Sequence, residues 1–164
     1  MREEYRKYID TAVSKKKEYK KVLPRLRKLK PGKLNSLFHS LHHEAFEIID
    51  CLECANCCTS IGPRVNDNDI IRLARKLRVK PSDIMSNYMR VDEDNDIIMK
   101  SMPCPFLMPD NYCSVYDSRP LACKGYPHTD HSKMAGLLNL TLKNSETCPA
   151  VAWIFEQLLT ELNI

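Results

Sequence analysis

Residues 51–58, CLECANCC, place four cysteines in eight positions, and Cys104, Cys113, Cys123 and Cys148 bring the total to eight. That density restricts the fold more than any other feature. A chain of 164 residues buries enough apolar surface to fold without covalent staples, so the thiols need another purpose. An even count suits a secreted disulfide scaffold. The N-terminus, MREEYRKYIDTAVSKKKEYKK, argues otherwise: it alternates charge with isolated apolar residues and has no apolar core of a secretory signal. The longest apolar stretch, PAVAWIFEQLL, contains Glu and Gln and falls short of the ~20 residues that cross a bilayer. The expected setting is a reducing cytoplasm without membrane attachment, where clustered cysteines bind metal or perform chemistry rather than pair.

Thiolates spaced C-x2-C turn back onto one metal because two intervening residues form a tight loop. Cys51, Cys54 and Cys57 repeat this spacing in succession. Cys58 directly follows Cys57, and adjacent side chains diverge, which calls for a second ion, a polynuclear cluster or one buried thiol that is not a ligand. The bacterial ferredoxin run delays its fourth cysteine by three residues and follows it with Pro, so an ordinary ferredoxin is disfavoured. The eight thiols suffice for two four-cysteine sites, or for one cluster and a zinc.

The ordered string C-x2-C-x2-C-C (51–58), PCPFL (103–107), C-x-VY-x-SRP-x2-C (113–123) and YP (126–127) resembles the YkgJ-type cysteine-cluster family of zinc- or iron-chelating proteins. The resemblance runs from about Cys51 to Tyr126. It implies metal chelation by Cys51, Cys54, Cys57, Cys58, Cys104, Cys113 and Cys123, and Cys148 completes the candidate metal-ligand set.

The expected fold is mainly α: short helices around a loop-rich cysteine and metal core, with at most a small β-ribbon near residues 90–100. Apolar residues recur at helical spacing from Tyr5 to Leu26, with Pro24 expected to break or kink the helix. A second amphipathic run, Leu34 to Ile49, delivers the chain to Cys51. Asp67 is the expected N-cap of a helix with Ile70, Ile71, Ala74 and Leu77 on its inner face. Pro81 opens another, and Ile97–Met99 reads as a short strand. Residues 103–128 read as irregular loop held by ligands. Thr147 is the expected cap of a last helix with Pro149 in its first turn, which puts Cys148 at a helix N-terminus.

Residues 1–33 hold thirteen Lys/Arg against four Asp/Glu, a net of +9 that leaves −5 for the rest. Two domains are expected: a basic amphipathic helical arm, 1–33, and a cysteine-cluster metal-binding domain, 34–164. The arm suits weak nucleic-acid binding, with lysines on phosphates and tyrosines on bases, or a solvated helix face whose Tyr and Leu residues pack on the body. Arg119 beside the thiolates would offset their charge. His39 and His43 have i, i+4 spacing without a His-Glu-x-x-His pattern, and His128 and His131 read as loop histidines. Gly32, Gly62, Gly125 and Gly136 are scattered, so no glycine-rich nucleotide loop is expected, and no nucleophile–base pair points to an enzyme. The expected function is metal chelation, with an iron–sulfur cluster in a redox or accessory role and a redox or other protein partner. The alternative is a structural zinc module acting as a protein or RNA adaptor.

Overall fold

The computed structural model describes residues 1–162; positions 163 and 164, the end of the expected second domain, lie outside the described residues. The chain is mainly α. It runs through helices α1 (Glu3–Ser14), α2 (Lys16–Leu26), α3 (Pro31–Ile48), α4 (Cys51–Cys54), α5 (Asn56–Ser60), α6 (Asp67–Leu77) and α7 (Pro81–Tyr88). An antiparallel pair follows, β1 (Met89–Val91) and β2 (Ile97–Met99), then α8 (Leu121–Gly125), α9 (Leu138–Asn144) and α10 (Pro149–Glu161). No described helix is long and apolar enough to cross a membrane.

Two compact units share this chain: Met1–Cys54 with the segment from Pro127 onward, and Ala55–Tyr126. In the first, α10 is the central element and packs on α1, α2, α3 and α9. Its sequence dictates this position, because Val151, Ala152, Ile154, Phe155, Leu158 and Leu159 are all buried, leaving it apolar on nearly every side. Tyr19 stacks on Phe155 with ring centroids 4.9 Å apart and donates to Glu156 Oε1 at 2.7 Å. Lys15 Nζ holds the other carboxylate oxygen at 2.8 Å. The basic N-terminal segment is therefore built into this unit through its apolar face. Tyr5 and Tyr19 are 1% and 0% exposed, packed on the body as the solvated-face reading expects, and neither is open to stack on bases.

The helical interruption falls at Lys15, with φ −91° and ψ 10°, rather than at Pro24. Pro24 sits inside α2, where it removes the N–H that would bond the Lys20 carbonyl, and the helix ends two residues later.

In the second unit, a core of Val65, Ile70, Leu73, Ala74, Ile84, Met89, Met99, Phe106 and Val115 joins α6, α7 and the two-stranded sheet. Met89 pairs with Met99 and Val91 with Ile97. The polar connection is tightened by Asn95 in the left-handed region, φ 62°, a conformation Asn tolerates. Asn66, not Asp67, is the N-cap of α6: its side chain accepts the Asp69 N–H at 2.9 Å and Asp69 Oδ2 accepts the Asn66 N–H at 3.0 Å. This reciprocal capping box moves the helix start by one residue. Leu73 then joins Ile70 and Ala74 inside, while Ile71 is 39% exposed.

Candidate metal centre

All eight cysteines are thiols rather than halves of disulfides. They divide between the two compact units: Cys51, Cys54 and Cys148 in the first, and Cys57, Cys58, Cys104, Cys113 and Cys123 in the second.

In the second unit, successive turns present the sulfurs. Leu107 N–H donates to Cys104 C=O at 3.0 Å, and Tyr116 N–H donates to Cys113 C=O at 3.1 Å. Such turns face following N–H groups toward the sulfur: those of Phe106 and Leu107 favour the Cys104 thiolate, and that of Val115 favours the Cys113 thiolate. Between them the chain folds back through MPDNY (108–112). Met108 N–H donates to Tyr112 C=O at 2.8 Å, Asp110 Oδ1 accepts the Tyr112 N–H at 3.0 Å, and Asn111 takes φ 65°. An isolated bridge pairs Leu107 with Cys113. Pro, Asp and Asn are the residues such a reversal calls for, and Cys104 and Cys113 come to pack against the apolar core. Cys58 is drawn in by its backbone, whose carbonyl accepts the Cys104 N–H at 2.8 Å. Its Sγ lies 3.9 Å from that of Cys57.

Cys123 enters on α8, which is anchored by residues that the cysteine spacing does not reveal. Asp69, 1% exposed, accepts the Leu121 N–H at 3.2 Å and pairs with Arg72. Arg72 also reaches the Arg119 carbonyl at 3.3 Å. The NDND run carries a readable capping-box signal, but the bonds from Asp69 and Arg72 to the SRP segment link positions about fifty apart and leave no local pattern.

The electrostatics show that these thiols sense one another. Burial pushes Cys123 up to about 12, with Cys104, Cys58 and Cys113 adding to the rise and Arg119 opposing it. Cys104 and Cys113 are also raised, first by burial and then by neighbouring thiols. Cys58 moves down because Cys57 hydrogen-bonds to it, with Arg119 assisting. Arg119 lies over the Tyr116 ring, 3.7 Å from its centroid, and its Nε is buried without a hydrogen-bond partner among the described residues.

In the first unit, Cys54 is buried and Cys51 exposed within α4. Tyr5 braces this turn: its hydroxyl accepts the Asp50 N–H at 3.0 Å and donates to Glu53 Oε2 at 3.1 Å, and Arg2 pairs with Glu53. Cys148, rather than Thr147, occupies the N-cap of α10. Burial pushes its thiol up to about 12; the Val151 and Ala150 N–H groups oppose that rise, while Cys51 and Cys54 add to it.

The histidines take other roles. His39 Nε2 lies 3.2 Å from the His131 carbonyl and 3.4 Å from Asp130, and His42 Nδ1 lies 2.8 Å from Thr129 Oγ1. His43 is edge-on to His42.

Among the described residues no three His, Cys, Asp or Glu side chains grip an ion as they stand. The donors nonetheless fit a thiophilic metal: Cys58, Cys104, Cys113 and Cys123 repel one another as thiolates, and a cation reverses that repulsion while displacing their protons.

A family model with the signature CxxCxxCC, described as "Putative zinc- or iron-chelating domain", matches residues 50–149. No curated protein and no solved structure matches the chain.

Proposed function

Because the chain belongs to the CxxCxxCC family of metal-chelating domains, we propose that it is an iron–sulfur protein with a redox or accessory role. The observation that carries this reading is the gathering of thiols in one compact unit: the Cys57 and Cys58 sulfurs lie 3.9 Å apart, the Cys58 carbonyl accepts the Cys104 N–H, and Cys104 and Cys113 pack on the same core. A cluster held there supplies reversible one-electron chemistry. The protein's own contribution is to exclude water with the Phe106 and Val115 core, to direct backbone N–H groups at the sulfurs, and to place a guanidinium that favours added negative charge. Cys51, Cys54 and Cys148 form a second donor group in the other unit, and Cys57 extends the first group through its contact with Cys58. A protein redox partner follows from this reading.

The second reading is a structural zinc module. It is favoured by the packing of Cys104 and Cys113 on the apolar core, where a closed, redox-silent ion would fasten loops poor in secondary structure.

The deciding experiment measures metal and acid-labile sulfide per chain in protein purified without oxygen and without a metal-binding tag. Iron with matching sulfide and a brown absorption supports the cluster. Zinc without sulfide overturns it in favour of the structural module.

A further inference from the structure

Outside the cysteines, the most unusual surface is the outer face of α2 and the turn after it. Between Lys17 and Lys33 the chain carries eight Lys/Arg and a single acidic residue, Glu18. Lys17, Lys20, Lys21 and Lys28 are exposed; at 100° per residue the three on α2 share an arc of about 100°, and Lys28 follows in the turn after the helix. The buried residues Tyr19, Val22, Leu23 and Leu26 occupy the opposite side. From Lys17 to Leu26 the helix extends about 14 Å, and Lys28 lies just beyond its end.

This face opposes the stability of its own helix, since Lys17 has like-charged neighbours at i+3 and i+4 in Lys20 and Lys21. Lysines nearby are neutralised: Lys7 by Glu3, Lys15 by Glu156 and Lys16 by Glu146. Among the described residues, no carboxylate forms an ion pair with Lys17, Lys20, Lys21 or Lys28.

We infer that Lys17, Lys20 and Lys21 on α2, with Lys28 in the turn after it, form a docking surface for the phosphate backbone of a nucleic-acid duplex. Two observations select this partner. The apolar side of α2 is consumed by its own unit, which leaves no apolar face to enter a lipid surface. The tyrosines at 5 and 19 are buried, Tyr8 on α1 is half-buried and the exposed row holds no aromatic ring, so the row itself offers no platform for unstacked bases. What remains is a line of point charges about as long as five base-pair rises of duplex, able to contact phosphates without reading sequence.

Fluorescence anisotropy of the full chain with labelled 20-base-pair RNA and DNA duplexes, from 50 to 200 mM KCl, tests this. The expected result is micromolar, sequence-independent binding near 100 mM salt, with log K falling linearly against log salt. The variant K17Q/K20Q/K21Q/K28Q should weaken binding at least about 10-fold and flatten the slope by about 3 to 4, roughly one per lysine. The corresponding four-fold Lys→Arg variant should keep both, as should a charge-matched control, K76Q/R90Q/K100Q/K143Q. Unchanged duplex binding in the four-fold Gln variant overturns the inference. So does equal loss in the control, tighter base-dependent binding to single strands, or binding to vesicles of anionic lipid without binding to duplex.

Discussion

The Asp69 carboxylate accepts the Leu121 backbone N–H at 3.2 Å, joining the first turn of α6 to the start of the helix that carries Cys123. The same carboxylate closes the α6 capping box and pairs with Arg72, which in turn holds the Arg119 carbonyl. One buried acid therefore fixes the approach of both Arg119 and Cys123.

Replacing Asp69 with Ala strands the Arg72 guanidinium and two backbone N–H groups. The expected loss is about 3 kcal/mol, the range for breaking a buried, hydrogen-bonded ion pair. Urea denaturation measures it, and Cys123 should react faster with a thiol reagent in the variant. An unchanged midpoint would remove Asp69 from its structural role.

Tyr5→Phe deletes the hydroxyl that joins the Asp50 N–H to Glu53. The cost should be about 1 to 2 kcal/mol, and because the bonds lie beside α4, protection of Cys54 from alkylation should fall with it. Mass spectrometry of thiol labelling reads this directly; a stability loss without a change at Cys54 would place the effect elsewhere in α1.

Cys113→Ser and Cys148→Ser remove thiols from different compact units. Each should lower metal per chain, and the double variant should lose the sum of the two. Elemental analysis decides: if either single change abolishes all bound metal, the two donor groups are not independent.

Burial holds the His42 imidazole below its ordinary pKa; Asp130 opposes the shift, and His43 and His39 reinforce it. The unfolded chain therefore takes up this proton first as pH falls below about 6.5. The stability from a neutral His42 is present above that pH and is lost progressively toward the lower folded value. Urea midpoints of the wild type and His42→Gln between pH 7.5 and 5.5 should converge as pH falls, and parallel curves would refute the assignment.

Arg78 ends α6 in the left-handed region at φ 57°, with its N–H and that of Val79 closing on carbonyls of the last turn. Glycine takes this conformation without the Cβ penalty, so Arg78→Gly should stabilise the protein by about 0.5 to 1 kcal/mol. A lower thermal midpoint would mean that the exposed arginine makes a contribution greater than the backbone gain.

Local chemistry was readable wherever its cause lay within a few residues. The 3.6-residue apolar period marked α3, α7 and α10, Pro81 and Pro149 opened helices, and the VDEDND turn led into β2. The cysteine spacing, from Cys51 to Cys123, carried the family and its metal chelation. Small errors arose where two adjacent residues competed for one role, as Asn66 with Asp67 and Cys148 with Thr147, and hydrogen-bond geometry chose between them. What the tertiary structure alone decided was the partners of each group. Spacing could not assign Cys148 to the unit of Cys51 and Cys54, or Cys58 to that of Cys104, Cys113 and Cys123. Nor could it foresee that Asp69 and Arg72 hold the SRP segment, whereas the inward packing of Tyr5 and Tyr19 was legible in the helical period of the arm. Those outcomes depend on burial and on bonds between residues distant in the chain, and such free energies are defined only once the elements have packed.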